Sequence, residues 1–414
     1  MRTEIADVAV IGGGPAGLAA AASARNAGAE RVILIERGER LGGILNQCIH
    51  DGFGTKIFEE ALSGPEYAQI YIDRLYDTDV TCSLDTMVLD VAGDRELTVC
   101  STEGMRRIRA KAMVLTTGCR ERSRGAISIP GSRPAGVYTA GVVQNYLNLQ
   151  NIMVGRRVVV LGSGDVGLIM ARRLTLEGAE VPCVAEILPY PSGLARNVAQ
   201  CLDDFGIPLY LSTTVVEIHG TDRIVGVTLA QIGPRGGVLH KTKRYVACDT
   251  LMLSVGLIPE NELAKKAGVA LSPITGGPVV DENFQTSLPG IFSAGNALQV
   301  HDLVDYVSLE AEIAGHSAAM YADAGKLPPS SIKVQPGKGI RYVLPQEISG
   351  AESVYFSMRA QAPDRDRYVV FRRGGQVIRR LKQTVLAPSS MMRIRLRADR
   401  LQKGQGDLTV EVGE

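Results

Sequence analysis

Two glycine-rich runs in this chain have the residue types and the spacing needed to hold a dinucleotide. The first is Gly12-x-Gly14-x-x-Gly17 and the second is Gly162-x-Gly164-x-x-Gly167. A glutamate follows each at one distance: Glu36 and Glu186 both lie 24 positions after the first glycine of their run, and the two copies are offset by 150. In such a run the first glycine permits a tight turn, the second lets the backbone approach a pyrophosphate, and the third lets a helix pack close to a sheet. The helix N-terminus then offers unpaired N–H groups and a partial positive charge to phosphates. The glutamate accepts hydrogen bonds from ribose hydroxyls. One such run is a weak signal. Two in register imply a protein that holds two dinucleotides face to face, an arrangement that suits hydride transfer.

The expected contacts in the first copy are Gly12, Gly14, Pro15, Ala16, Gly17, Glu36 and Arg37; in the second they are Gly162, Gly164, Asp165, Val166, Gly167 and Glu186. A carboxylate at Glu186 repels a 2′-phosphate, and the next arginine is as far on as Arg196. The second site is therefore expected to prefer NAD(H) over NADP(H).

Both runs need a strand before them and a helix after them. Asp7–Ile11 reads as a buried parallel strand, Ala16–Ala27 as the helix and Arg31–Glu36 as the second strand. The later copy repeats this with strand Arg157–Leu161, helix Val166–Glu177 and strand Ala179–Glu186. The predicted fold class is α/β, with two Rossmann-like dinucleotide-binding domains, one inserted in the other, and a small C-terminal β domain.

Composition bounds the rest. The chain has 414 residues, 45% hydrophobic and 21% charged, enough for two or three domains. Tryptophan is absent, aromatics are 5% and the net charge is +1, which argues against nucleic-acid binding. The charge is uneven: from Ser331 onward there are sixteen basic and eight acidic residues, so the tail reads as a different module. The seven cysteines include no C-x-x-C pair, a usage that fits a reducing compartment. The apolar stretch Ala9–Ala24 is broken by Gly and Pro and reads as a phosphate loop, not a leader. No segment reaches the roughly 18 apolar residues of a membrane span. A soluble, cytoplasmic protein is expected, and no metal site is expected because no Cys/His pair has ligand spacing.

Residues 1–118 and 284–325 are read as the first nucleotide domain, 119–152 as a crossover, 153–283 as the second nucleotide domain and 332–414 as a C-terminal β-rich domain. Lys326–Ser331 reads as a linker. Short alternating runs near ten residues apart follow it and suggest a small β-sandwich or barrel. One of these, Arg393–Arg397, places arginines on one face of a strand. It is read as a solvated face or as a docking surface for an acidic partner.

Five segments in order give a resemblance over about residues 1–325: Gly12–Gly17 with Glu36; Gly42-Gly43; Thr117-Gly118 with Arg120; Gly162–Gly167 with Glu186; and Thr286–Asn296. The chain resembles the two-dinucleotide flavoproteins related to pyridine nucleotide-disulfide oxidoreductases. The resemblance implies FAD in the first site and NAD(P)H in the second. It adds Gly42, Gly43, Thr117, Gly118, Arg120, Gly256, Gly295 and Asn296 to the expected cofactor contacts. The last segment usually ends in Asp beside the flavin; Asn296 stands there and can still hydrogen-bond.

The redox disulfide of that family is incomplete. In Gly42-Gly43-Ile44-Leu45-Asn46-Gln47-Cys48-Ile49-His50 the first cysteine is missing. The long disulfide reductases also carry a His-Glu base near the C-terminus, whereas no histidine follows His316. Disulfide reduction by that route is not expected. The runs Ile44–Gly54, Gly64–Tyr67 and Asn296–Tyr306 are similar to flavoprotein subunits of opine oxidases, cyanide synthases and dye-linked proline dehydrogenases. They are also similar to the NADH-oxidase-like flavoprotein that accompanies FAD-dependent glycerol-3-phosphate dehydrogenase, and the tail shares that last likeness. This similarity implies a partner, either a second flavoprotein or a dehydrogenase subunit. An oligomer is expected.

Three residues are candidates for chemistry. Cys48 and His50 are either a thiol and a proton carrier beside the flavin or a packed thiol and a core histidine. His301 either touches the flavin edge or caps a loop. The expected activity is that of an FAD-dependent oxidoreductase, transferring hydride between NAD(H) and flavin and exchanging electrons with a partner flavoprotein or a small acceptor. The alternatives are a Cys48-dependent peroxide- or disulfide-linked NADH reductase and a non-catalytic nucleotide-binding subunit.

Overall fold

The computed structural model describes residues 3–414 and divides the chain into two compact units. One runs through Cys119 and resumes at Pro259–Glu414; the other is Arg120–Ile258.

The first unit is built on a parallel sheet whose neighbours run Thr81–Ser83, Val32–Ile35, Thr3–Ile11, Gly104–Leu115 and Ile291–Ser293. Alternate residues of a strand face opposite sides of a sheet. Val8 and Val10 thus enter one apolar cluster and Ala9 and Ile11 another, and both faces are covered. Continuous burial of this kind is why Val8–Ile11 reads as an unbroken apolar run. Gly104–Leu115 extends antiparallel into Glu96–Ser101 and Met87–Val91.

Helix Pro15–Asn26 packs on helix Val304–Ala324. The first is alanine-rich, and a Cβ added at Gly315 of the second would lie 2.1 Å from the Ala20 carbonyl oxygen. Small residues therefore set how closely these helices approach. Helix Gly64–Tyr76 starts with a capping box in which Ser63 and Glu66 satisfy each other's backbone N–H.

In the second unit a parallel sheet runs Val137–Thr139, Thr250–Leu253, Val158–Leu161, Val184–Ala185, Leu209–Tyr210. An antiparallel sheet of Thr213–Gly220, Ile224–Gln231 and Arg244–Ala247 accompanies it.

Several boundaries move. Both glycine-loop helices begin one residue early, at Pro15 and Asp165, because Gly14 and Gly164 take the extended N-cap conformation. Proline suits the first helical position, where its missing N–H would be unpaired anyway. The strand expected over Ala179–Glu186 shrinks to Val184–Ala185; Pro182 cannot donate to a ladder. The stretch 259–283, expected with the second nucleotide domain, packs with the first: Ala264 and Val269 share a cluster with Ala6, Ile11 and Met113.

The C-terminal part forms two sheets. One pairs Glu347–Ile348, Ile332–Pro336, Leu408–Gly413, Asp364–Arg373 and Gln376–Leu386; the other pairs Ile340–Leu344, Val354–Ala360 and Met392–Leu396. They share one apolar core, where the Phe356 and Phe371 rings lie 5.6 Å apart. This part is not detached from the first unit. Tyr342 and Leu344 enter the apolar cluster beneath the two packed helices, and Gln346 exchanges hydrogen bonds with the Val280 backbone. Of the arginine stripe, Arg395 and Arg397 are exposed. Arg393 is half-buried, its guanidinium 5.3 Å from the Tyr306 ring and 4.4 Å from the Tyr355 ring. That stripe is therefore not uniformly a solvated face.

Among the described residues no helix is long and apolar enough to cross a membrane.

Candidate functional site

The first glycine loop leaves strand Thr3–Ile11 with Gly12 at φ +109°, a conformation that L side chains rarely adopt. A Cβ at Gly17 would sit 1.7 Å from the Gly12 carbonyl oxygen, so only glycine lets the helix start there. Gly14 is different. A Cβ there would meet nothing within 4 Å, and no side chain caps the helix it begins. Its open side is the one from which a phosphate can reach the helix amides. The Gly42-Gly43 turn lies directly against this loop: Gly42 N–H donates to the Gly13 carbonyl at 2.9 Å, and a Cβ on Gly43 would come within 2.9 Å of Gly14 Cα.

Glu36 closes the loop. Its Oε2 accepts from Gly13 N at 2.6 Å and its Oε1 from Gly38 N at 2.7 Å. Glu36 is half-buried, and each oxygen keeps a lone pair for another donor. Arg37 is exposed beside it. Thr116 Oγ1 donates to the Ile11 and Gly12 carbonyls, and Thr117 Oγ1 donates to the Glu260 carbonyl at 2.6 Å. Gly118 follows at φ +71° with an open face.

The second loop repeats the plan. Gly162 has φ +89°, and a Cβ at Gly167 would lie 2.4 Å from the Ser254 Cβ. Ser163 N donates to Glu186 Oε2 at 2.9 Å and Leu188 N to Oε1 at 2.9 Å. These two bonds match those of Gly13 and Gly38 on Glu36, position for position. Here, however, Ser163 Oγ and Ser192 Oγ also donate to Glu186 Oε2, at 2.5 and 3.0 Å. Glu186 is only 3% exposed. Asp165 Oδ1 accepts from Leu194 N and Asn197 Nδ2, while Val166 is half-buried. Ser254 Oγ accepts from Gly167 N at 3.1 Å. Gly256, at φ +102°, lies near Arg122, and Arg120 is exposed in the same unit.

Back in the first unit, Gly295 has φ +72°, and a Cβ there would lie 2.8 Å from Ala16 Cβ. The segment from Gly295 thus runs beside the start of the first loop helix. Asn296 Oδ1 accepts from His301 N at 3.0 Å and lies 3.3 Å from His301 Nδ1. Its Nδ2 reaches Cys119 Sγ at 3.6 Å. The other ring nitrogen of His301 faces Glu310 Oε2 at 3.3 Å, and the histidine side chain is 1% exposed. Glu310 also accepts from Gly295 N and Gln299 Nε2. His301 is thus enclosed between Asn296 and Glu310.

Cys48 is 9% exposed, and burial pushes its thiol up to about 12. Its Sγ–H donates to the Ile44 carbonyl at 3.3 Å. The thiolate is the nucleophilic form, so a thiol held protonated at neutral pH has the properties of a packed residue. His50 is half-buried with its ring 5.1 Å from Phe53. None of the seven cysteines forms a disulfide.

Three supporting residues have partners that the sequence does not announce. Asp305 is fully buried and accepts from Gly54, Lys56 and Ile57 N, which ties the loop after His50 to the start of helix Val304–Ala324. Asp302, next to His301, pairs with Arg359 and accepts from Met391 N, both from the C-terminal part of the chain. Arg359 further donates to the Val300 and Pro388 carbonyls and to Tyr342 Oη. Ser192 joins the second loop through Glu186. The partners of Asp302 and Asp305 are distant in sequence, and a single chain gives no sign of such pairs; Ser192 lies six positions from Glu186 but in a loop with no periodic pattern.

Comparison with known proteins agrees with this geometry. The family model described as pyridine nucleotide-disulphide oxidoreductase matches residues 6–318. An opine oxidase subunit of Agrobacterium tumefaciens (strain Ach5) is 25% identical over 342 residues, covering 77% of this chain and 66% of that protein. An alkyl hydroperoxide reductase subunit of Pseudomonas aeruginosa is 27% identical, over 71% of this chain and 54% of the relative. The chain thus spans about half to two thirds of the length of the curated relatives it matches. Among solved structures, T. acidophilum thioredoxin reductase aligns with a TM-score of 0.63 at 22% identity, over 78% of this chain and 100% of that one. Its likeness is one of fold. With a family match that covers most of the chain and two glycine loops closed alike, this protein belongs to the pyridine nucleotide-disulphide oxidoreductase family.

Proposed function

We propose that the chain is an FAD-dependent oxidoreductase that transfers hydride between NAD(H) and flavin, and that it exchanges electrons with a partner flavoprotein or a small acceptor. The observation that carries this reading is the repeated pair of backbone bonds, Gly13 and Gly38 onto Glu36, Ser163 and Leu188 onto Glu186.

The first loop fits FAD. Gly14 leaves room for the pyrophosphate, the first helix offers its amides, and Glu36 keeps acceptor capacity for ribose hydroxyls. Gly42 and Gly43 lie against the same loop, and Gly118 and Asn296 are proposed to line its approaches. A bound flavin supplies the hydride-accepting chemistry; the protein supplies placement and electrostatics. Helix Val304–Ala324 has a positive N-terminal end and no side-chain cap, which favours negative charge near Leu303. The enclosed His301 holds a ring nitrogen toward Glu310 and is proposed to support that segment rather than to attack substrate.

The second loop is proposed to take NAD(H) in preference to NADP(H), because the Glu186 carboxylate at the strand end disfavours a 2′-phosphate. A cytoplasmic location and an oligomeric state are proposed with it. Two relatives, one of an opine oxidase and one of a sarcosine oxidase, are named as subunits. Those names support work alongside a second protein. Anaerobic mixing of the FAD-loaded chain with NADH and with NADPH tests the reading. Flavin bleaching at least tenfold faster with NADH supports it; equal rates contradict the nucleotide preference, and no bleaching contradicts the activity. Isolation from the native host with a flavoprotein attached tests the partner.

A further inference from the structure

The two loops differ at one carboxylate. Glu36 carries one donor on each oxygen, both backbone N–H groups. Glu186 carries four donors, three of them on Oε2: Ser163 N at 2.9 Å, Ser163 Oγ at 2.5 Å and Ser192 Oγ at 3.0 Å. Position 13 in the first loop is glycine where position 163 in the second is serine. A Cβ at Gly13 would already lie 3.1 Å from Glu36 Oε2, so a hydroxyl at this position falls on the carboxylate by construction.

The second hydroxyl comes from a segment laid over the loop. Ser192 N donates to Ser163 Oγ at 2.8 Å, and Leu194 N donates to Asp165 Oδ1 at 2.8 Å. Gly193 lies between them, where a Cβ would meet the Ser163 carbonyl oxygen at 2.7 Å and Asp165 Oδ1 at 2.9 Å. Only glycine allows the segment to lie this close. Ser192 itself is exposed, whereas the Glu186 it bonds is buried. The hydroxyl can therefore turn to water without disturbing the core, while the carboxylate cannot move to meet a ligand.

We propose that Ser192 is a self-supplied competitor for the nucleotide's ribose: its hydroxyl occupies Glu186 Oε2, and the segment Leu188–Leu194 must release it before an adenosine ribose can bond there. This rests on reading the second loop as the nicotinamide-nucleotide site. An incoming ribose hydroxyl gains one charge-assisted hydrogen bond and loses another, so the carboxylate adds little net affinity. The loop therefore binds its nucleotide weakly by design, and Ser192 sets how weakly.

The test is calorimetric titration of the full-length, FAD-loaded chain and its Ser192→Ala and Ser163→Gly variants with NAD⁺, AMP and 2′-deoxy-AMP. Removing the Ser192 hydroxyl is expected to tighten NAD⁺ and AMP roughly tenfold, the scale of one hydrogen bond to a charged group. 2′-Deoxy-AMP, lacking one ribose hydroxyl, is expected to gain less. Ser163→Gly, which copies the first loop, is expected to tighten AMP as well. Unchanged or weaker AMP binding in Ser192→Ala overturns the proposal, as does an absence of binding in all three proteins. A wild type that binds no nucleotide beside a Ser192→Ala variant that does would uphold the competitor and instead contradict NADH oxidation by the native chain.

Discussion

Glu36 and Glu186 stand 150 positions apart and close their glycine loops with equivalent backbone hydrogen bonds, yet one is half-buried with lone pairs to spare and the other is 3% exposed and crowded with donors. The shared part follows from duplicated geometry. On the proposed function, that difference suits the first loop to a resident cofactor and the second to a cosubstrate that must leave.

Gly14 separates folding from binding. Its backbone is extended and a Cβ would meet only open space, so Gly14→Ala is expected to fold with an unchanged melting temperature. The added methyl intrudes where the pyrophosphate approaches, and FAD affinity is expected to fall at least roughly tenfold. Gly17→Ala serves as the contrast. Its Cβ would overlap the Gly12 carbonyl, so it should lose both stability and flavin. Melting curves with flavin titrations distinguish the two.

Cys48→Ser is expected to leave flavin reduction by NADH within about threefold of wild type. Burial keeps the thiol protonated, and its Sγ–H donates to the Ile44 carbonyl. A serine hydroxyl can make the same bond. Loss of flavin reduction by a hundredfold or more would restore Cys48 as a redox group.

How much of this was legible follows from where partners lie in sequence. The glycine loops and their glutamates were readable because a strand, a turn and a helix are local and carry fixed spacing. The clamp on the His301 segment was not. Asp302 meets Arg359 across 57 positions and Met391 across 89, and no periodicity links them. The stretch 259–283 departs from the sequence expectation for a related reason: it continues directly from the second sheet but buries Ala264 and Val269 under the first. Ser192 lay hidden in a Pro- and Gly-containing loop whose sequence reads only as a turn.

The Asp302–Arg359 pair is mostly buried, with side-chain exposures of 11% and 13%. Arg359→Ala strands a carboxylate beside His301 and is expected to cost about 3–5 kcal/mol in urea unfolding. Arg359→Ala with Asp302→Ala, which removes both charges, is expected to recover part of that loss. An equal cost in the double variant would show that the stranded carboxylate is not the source of the loss.

Asp281 gives a pH signature. Burial raises its carboxyl to about 6 although Asn283 N and Gln285 N both donate to its Oδ1. The folded state thus holds this proton more tightly than the unfolded chain, whose carboxyl titrates near 3.8. Stability from this group is full below about 4 and is lost as pH rises through about 6. Asp281→Asn keeps an acceptor for both amides without the charge. It is expected to raise stability at pH 7 by on the order of 2 kcal/mol and to flatten the pH dependence between about 4 and 6. Thermal unfolding of both proteins across that range is the measurement.

The central claim, two nucleotide loops serving one hydride transfer, is tested most directly by loading the purified chain with FAD and adding NADH without oxygen. The expected result is a yellow protein whose flavin absorbance bleaches on mixing. A chain that takes up no FAD, or a yellow chain whose absorbance NADH leaves unchanged, would contradict it.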